Sequence, residues 1–175
     1  MGLEIERRFL VAGDGWRSHV RWSRNLRQGY LAGDPQGFTV RVRQAADQAW
    51  LTLKAAASSD GLARHEFEYP IPMADATDLL ALAPRQLAKH RFGLDLPGGD
   101  WVLDVFEGAN APLIMAEVEI ADASVQIKPP AWCVQEITGR GELSNAALSA
   151  RPLADWDAGE RHAILDLLQN SNPPL

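Results

Sequence analysis

The sequence predicts an α+β domain built on an antiparallel β-sheet, and three observations carry that prediction. Alternating apolar and polar residues recur in short runs: Leu3 to Val11, Phe38 to Arg43, Trp50 to Lys54, Arg64 to Ile71, Trp101 to Phe106 and Ile114 to Ile120. Turn-forming residues separate them at hairpin spacings, which favours antiparallel neighbours. Helical spacing is confined to a few stretches, so helices are the minor component.

Taken in chain order, Leu3 to Val11 is the first strand and Leu26 to Leu31 a further short one. Gly33-Asp34-Pro35 with Gly37 is a turn, as are Ser58-Ser59-Asp60-Gly61, Pro97-Gly98-Gly99-Asp100 and Gly108 to Pro112. Ala74 to Ala83 has apolar residues at helical spacing, with Asp75 near its start and Pro84 at its end, and a second helical stretch is expected from Pro84 to Arg91. Asp155 to Gln169 is amphipathic through Trp156, Ala163, Ile164, Leu167 and Leu168, and the tail Asn170 to Leu175 carries two prolines and is read as loose. There is no internal repeat, low-complexity segment or linker.

Bulk properties narrow the function. The 175 residues suit one domain, and 46% hydrophobic residues allow a sizeable core. A net charge of −6 argues against broad nucleic-acid binding driven by phosphate neutralisation. No apolar run is long enough to cross a bilayer and no signal peptide is visible, so neither a membrane partner nor export is expected. The single cysteine, Cys133, excludes an intramolecular disulfide and any multi-cysteine metal site, in keeping with a cytoplasmic location. The 17 basic residues are arginine except for Lys54, Lys89 and Lys128, and arginine suits bidentate binding of phosphate or carboxylate.

Charge placement on the strands points to a site. Successive strand side chains face opposite ways, so Glu4, Glu6 and Arg8 share one face of the first strand. Arg41 and Arg43 share a face, as do Thr52 and Lys54, Arg64, Glu66 and Glu68, and Glu117 and Glu119. An ordinary sheet would turn such a face to water. The like-sign pairs are unusual for a solvated face, because like charges two residues apart repel, and far more so inside a cavity. Clustered carboxylates suit a hard divalent cation, and clustered guanidinium groups suit a polyanion. A metal-bound polyphosphate satisfies both.

The opening Glu4-Ile5-Glu6-Arg7-Arg8-Phe9-Leu10-Val11 resembles the Glu-x-Glu-x-Lys signature of the CYTH superfamily, the triphosphate tunnel metalloenzymes, with Arg8 at the lysine position. Further segments resemble the small bacterial branch in the same order: Leu26 to Leu31, Val40 to Arg43, Leu51 to Lys54, Gly61 to Glu68, Leu103 to Phe106 and Ala116 to Ile120. The resemblance covers residues 1 to 150, with residues 151 to 175 read as a C-terminal helix and tail of the same domain. It implies an eight-stranded antiparallel β-barrel forming a tunnel, with helices packed outside. It also implies hydrolysis of inorganic triphosphate or a related organic triphosphate, dependent on Mg²⁺ or Mn²⁺. Residue by residue, it implies Glu4, Glu6, Glu117 and Glu119 as metal ligands, with Asp104 as a further one. Arg8, Arg41, Arg43, Lys54, Lys89 and Arg91 are implied as phosphate-binding groups, with Lys89 also placed to act on substrate or nucleophilic water. Tyr30 matches a tyrosine proposed in relatives as a proton acceptor.

The chain departs from the family pattern at Gly139 to Ser144, where relatives carry an acidic residue and an Arg-Tyr pair. Arg140 is the residue available to replace the missing cation. Two other functions stay open: cyclisation of ATP, as in a class IV-type adenylyl cyclase, and non-catalytic binding of a polyphosphate or nucleotide. The expected partner is a small-molecule triphosphate, and a homodimer remains open. His19, His65, His90 and His162 share no ligand spacing and are read as structural.

Overall fold

In the computed structural model, residues 2–33, 38–60 and 62–169 are described. The strands are β1 (Gly2–Val11), β2 (Val20–Gly33), β3 (Thr39–Ala45), β4 (Gln48–Ala56), β5 (Ala63–Pro70), β6 (Arg85–Leu94), β7 (Asp100–Phe106), β8 (Ile114–Glu119) and β9 (Cys133–Glu136). The α-helices are α1 (Met73–Leu82), α2 (Asn145–Ala150) and α3 (Ala158–Gln169).

Strands β2 to β5 form consecutive hairpins, and so do β6 to β8. The two groups join where β2 pairs with β6 over nearly its whole length, from Val20 opposite Leu94 to Tyr30 opposite Arg85. Strand β1 closes the sheet. Its Glu6–Leu10 stretch pairs with β8, and on its other edge Gly2–Ile5 pairs with β5. Closure leaves an eight-stranded antiparallel barrel, as the resemblance implied, and removes the exposed edges an open sheet would present. The ninth strand is an appendage: β9 pairs with the part of β1 that β5 does not reach, Phe9–Val11.

Three apolar clusters surround this frame. Phe9, Val11, Trp16, Leu94, Trp101, Leu103, Ala116 and Val118 pack on the outer face of β1, β6, β7 and β8, under the 3₁₀ turn Gly15–His19 and Trp132. Val42 and Ala49 hold α1 against the outside through Ala76 and Leu80. The third cluster lies at one end of the barrel. Leu10, Tyr30, Leu87, Phe106 and Met115 meet Leu143, Ala146 and Leu148 of the α2 region, and Trp156 and Ile164 extend the cluster to α3. Ser144 caps α2 by accepting from Ala147 N.

Two expectations change. Pro84 to Arg91 is not helical: Arg85–Leu94 is β6, paired on both edges. Its inward positions Leu87, Lys89 and Arg91 mix apolar and charged groups, which blurs the period of two that marks a half-buried strand. The strand seen from sequence as Leu26 to Leu31 starts at Val20, because Arg21–Asn25 is largely exposed yet hydrogen-bonded to β6. Of the residues assigned to turns or tail, Asp34, Pro35, Gly37, Gly61 and Asn170 to Leu175 lie outside the described residues.

Gly29 shows how closely α1 sits on the barrel. A Cβ there would lie 2.6 Å from Ala83 Cβ and 3.2 Å from Leu80 Cδ2. Overpacking of this kind costs about 1–3 kcal/mol, so Gly29→Val should lower the urea midpoint by that equivalent at unchanged m-value. A midpoint equal to that of the unmodified protein would show that α1 can retreat freely.

Candidate functional site

Beyond the apolar end, the barrel interior becomes a charged cavity of about 780 Å³. Separate strands deliver same-face residues to it: Glu4, Glu6 and Arg8 from β1, Arg41 and Arg43 from β3, Lys54 from β4, Arg91 from β6, and Glu117 and Glu119 from β8. Tyr30 of β2 lines it where the charged and apolar parts meet. The charged faces of separate strands therefore converge because the sheet closes, not because it meets solvent.

Register pairs opposite charges across strands. Arg8 lies opposite Glu117, and Lys54 opposite Glu66. Lys54 Nζ is 2.8 Å from Glu4 Oε2 and 3.2 Å from Glu66 Oε2. Arg64 bonds Glu6, and Arg43 Nη2 donates to Glu68 Oε2 at 2.8 Å. Arg91 Nη2 donates to Glu117 Oε2 at 2.9 Å. Charged side chains withdrawn from water need such partners, since an unpaired buried ion costs several kcal/mol.

Among the described residues, compensation is uneven in two places. On the basic side, the Nε atoms of Arg8, Arg41 and Arg43 are buried without a hydrogen-bond partner among the described residues, although Arg8 Nε stands 3.5 Å from Glu117 Oε1. A buried donor left unmade costs roughly 1–3 kcal/mol. Burial, and then the neighbouring Arg41, press the pKa of Arg43 down to about 10. On the acidic side, burial followed by the charges of Glu4, Glu66 and Asp100 raises the pKa of Glu119. An anion relieves the first strain and a cation the second.

The fit to a divalent cation is one of chemistry rather than of finished geometry. Glu4, Glu6, Glu117 and Glu119 present hard carboxylate oxygens on neighbouring strands, the donor type Mg²⁺ or Mn²⁺ takes. Lys54, Arg64 and Arg91 hold three of the four, and among the described residues no three acidic side chains already converge as a ligand set.

Lys89 and Asp104 are not among the cavity-lining residues. Both are 1% exposed and lie behind the wall, Lys89 Nζ 2.6 Å from Asp104 Oδ2. Arg91 donates to both Asp104 oxygens at 2.7 Å, so Asp104 is already saturated by two cations. Burial brings the pKa of Lys89 down to about 8 despite Asp104. Burial works against the charges of Asp104 and Glu117, but the nearby cations, Arg91 foremost, hold both below the ordinary carboxylate range. For Tyr30, burial outweighs Arg41 and Lys54 and raises the pKa, leaving a neutral phenol that accepts from Gln28 Nε2 at 3.1 Å.

Sequence reasoning left other wall residues out of the site. Arg64, Glu66 and Glu68 have the right parity on β5, but only closure of β5 onto β1 makes that face interior. Arg140 reaches the cavity with Gly139 and Gly141, so the divergent segment borders the site, and its guanidinium is held by Glu142 at 2.8 Å. Ser144, Asn145 and Ala146 also line it, on a short helix with no periodic signal.

The CYTH domain family model matches residues 2–149, which span the whole barrel. The chain belongs to the CYTH family. It is 36% identical over 158 residues to the inorganic triphosphatase of Acetivibrio thermocellus, covering 89% of this chain and 99% of that one. It is 39% identical over 155 residues to the inorganic triphosphatase of Nitrosomonas europaea, covering 83% and 96% respectively. The crystal structure of the inorganic triphosphatase NE1496 superposes with a TM-score of 0.60 at 33% identity, covering 83% of this chain and 93% of that one. The CYTH barrel seen here is thus shared with enzymes of known name over nearly their full lengths.

The Lys89–Asp104–Arg91 group of this CYTH barrel has a signature in stability. Asp104 and Glu117 have folded pKa values below their unfolded ones, so the folded state binds fewer protons below about pH 4.5. Their contribution is fully present above about pH 5 and is lost as pH falls through the folded values. Asp104→Asn leaves Lys89 and Arg91 buried beside a neutral group, and should cost about 3–5 kcal/mol at pH 7 by denaturant titration. The deficit should shrink as pH is lowered to 3. A pH-independent deficit would mean the carboxylate charge is not what stabilises the group.

Proposed function

We propose that this CYTH protein hydrolyses inorganic triphosphate to orthophosphate and pyrophosphate inside its barrel, with Mg²⁺ or Mn²⁺ as cofactor. The observation that carries this reading is a single cavity lined by both signs: Arg8, Arg41 and Arg43 beside Glu4, Glu6, Glu117 and Glu119, where Glu119 has its pKa raised by burial and by neighbouring carboxylates. The two similar enzymes are named inorganic triphosphatases, which favours this substrate.

Phosphoryl transfer to water needs charge neutralisation and in-line positioning more than covalent help. Arg8, Arg41, Arg43, Lys54 and Arg91 hold the phosphate oxygens from separate strands and keep the chain of phosphates in one register. Glu4, Glu6, Glu117 and Glu119 would hold the cation, which would supply neutralisation of charge on the phosphate oxygens. Lys54, Arg64 and Arg91 pair with Glu4, Glu6 and Glu117, so cation binding there would compete with these ion pairs. Tyr30, neutral and beside Arg41, serves as a hydrogen-bonding group to a phosphate oxygen. Asp104 holds Arg91 in place from behind the wall. The protein acts on a soluble triphosphate in the cytoplasm.

Product analysis tests the activity. Triphosphate with Mg²⁺ or Mn²⁺ should yield orthophosphate, chelation should abolish the yield, and Glu6→Gln should reduce it at least about a hundred-fold. Cyclic nucleotide from ATP with no orthophosphate, or tight binding without turnover, would replace this reading. Arg41→Ala should weaken calorimetric binding of triphosphate in Ca²⁺ about ten-fold to a hundred-fold.

Proton competition gives a second test. Glu119 must lose its proton to hold a cation, and its pKa is raised. Mn²⁺ affinity should therefore rise as pH increases from about 4.5 to 7, more steeply than an unshifted carboxylate allows. Glu119→Gln should flatten that rise, and an unchanged slope would remove Glu119 from the ligand set.

A further inference from the structure

Lys89 is a full cation that does not line the cavity, yet it touches a residue that does. Its Nζ donates to Asp104 Oδ2 at 2.6 Å and to Asn145 Oδ1 at 3.0 Å. Asn145 opens α2 and lines the cavity. An ammonium has donors and no acceptor, so it dictates which end of the amide faces it. The oxygen turns to Lys89 and the NH₂ group turns away. That Nδ2 makes no hydrogen bond to any described residue, and it is not among the buried polar atoms lacking a partner. Lys89 in turn cannot swing, because Asp104 holds it and Arg91 grips Asp104 from the other side at 2.7 Å. The result is a fixed, neutral, two-proton donor on the cavity wall.

We infer that Asn145 is a substrate-binding residue whose Nδ2 donates to a phosphate oxygen, and that Lys89 is the positioning residue that holds its amide in the donating orientation. The inference rests on the triphosphate reading and adds to it a contact from α2, where the other grips come from strands. A neutral donor is useful here. It adds a directional bond without adding charge to a wall where Arg41 and Arg43 already crowd one another. It also explains how a lysine screened from the cavity by its own partners serves substrate binding.

The test separates orientation from simple packing. Asn145→Asp is nearly isosteric and still accepts from Lys89, so Tm should be equal or higher. On the cavity side it replaces a donor with an acceptor that repels phosphate. KM for inorganic triphosphate with Mg²⁺, and Kd in Ca²⁺, should rise at least about ten-fold. Asn145→Ala removes the donor without adding charge and should raise KM about three- to ten-fold with kcat within about two-fold, the pattern of a lost ground-state contact. Combining Lys89→Met with Asn145→Ala should raise KM by less than the product of the single effects, because one acts through the other. The Asn145 side-chain amide resonances should shift when triphosphate is added in Ca²⁺. Should Asn145→Asp not fold, Asn145→Ala and the resonances decide. Either folded variant with KM within about two-fold of the unmodified protein, or resonances indifferent to triphosphate, overturns the inference. If Arg41→Ala weakens binding while the Asn145 variants do not, the triphosphate reading stands and Asn145 falls. If the unmodified protein does not bind triphosphate, both fall.

Discussion

Charge compensation across a closed sheet is the constraint on which this structure depends. Among the described residues, six carboxylates (Glu4, Glu6, Glu66, Glu68, Glu117, Glu119) and seven cations (Arg8, Arg41, Arg43, Lys54, Arg64, Arg91, Arg140) line one cavity. Most of them are buried or half-buried, and opposite charges on neighbouring strands make this tolerable. Register does the matching: Arg8 faces Glu117, Lys54 faces Glu66, and Arg91 faces Asp104. A slip of one residue in any strand would expose its charges outside and force its apolar face in. The arrangement that makes the cavity bearable therefore also fixes the barrel's register.

Such a wall contributes little to stability by itself, because each ion pair returns roughly what desolvation took. Stability comes from the apolar clusters. Phe9, Trp16, Trp101 and Leu103 pack outside one half of the barrel, and Leu10, Phe106, Met115 and Leu148 fill one end of it. This division lets the interior be charged without unfolding the domain. It also keeps groups of both signs side by side in one cavity, each held by ion pairs across the strands.

The filled end and the charged end meet at α2, and that junction gives the site its depth. Leu143 and Leu148 belong to the apolar cluster, while Ser144, Asn145 and Ala146 border the cavity. Arg8 Nη2 donates to Leu143 O at 2.8 Å, and Lys89 donates to Asn145 Oδ1, so the helix is tied to the charged wall as well as to the core. Displacement of α2 would therefore disturb cavity-lining residues directly.

Alternation alone made much of this legible. The like-sign pairs Glu4/Glu6, Arg41/Arg43 and Glu117/Glu119 followed from a strand period of two, and every one of them faces the cavity. The sequence also located α1 and most strands, because their turns are rich in Gly, Asp and Pro and their outer faces are apolar. It could not separate a charged face turned inward from one turned to water, since both have the same local pattern. That choice was made by Glu6–Leu10 pairing with β8 while Gly2–Ile5 pairs with β5, contacts between residues far apart in the chain. Strand β6 was hidden for the same reason: Lys89 and Arg91 are interior only because β2 and β7 flank them. Which cations meet the cavity and which stand behind it is a finer matter still. Lys89 and Arg91 share a strand face two residues apart, yet one is sealed by Asp104, Asn145 and the Phe106 ring while the other reaches the cavity. Parity assigns a side chain to a face. Depth along that face is set by what the rest of the fold packs against it.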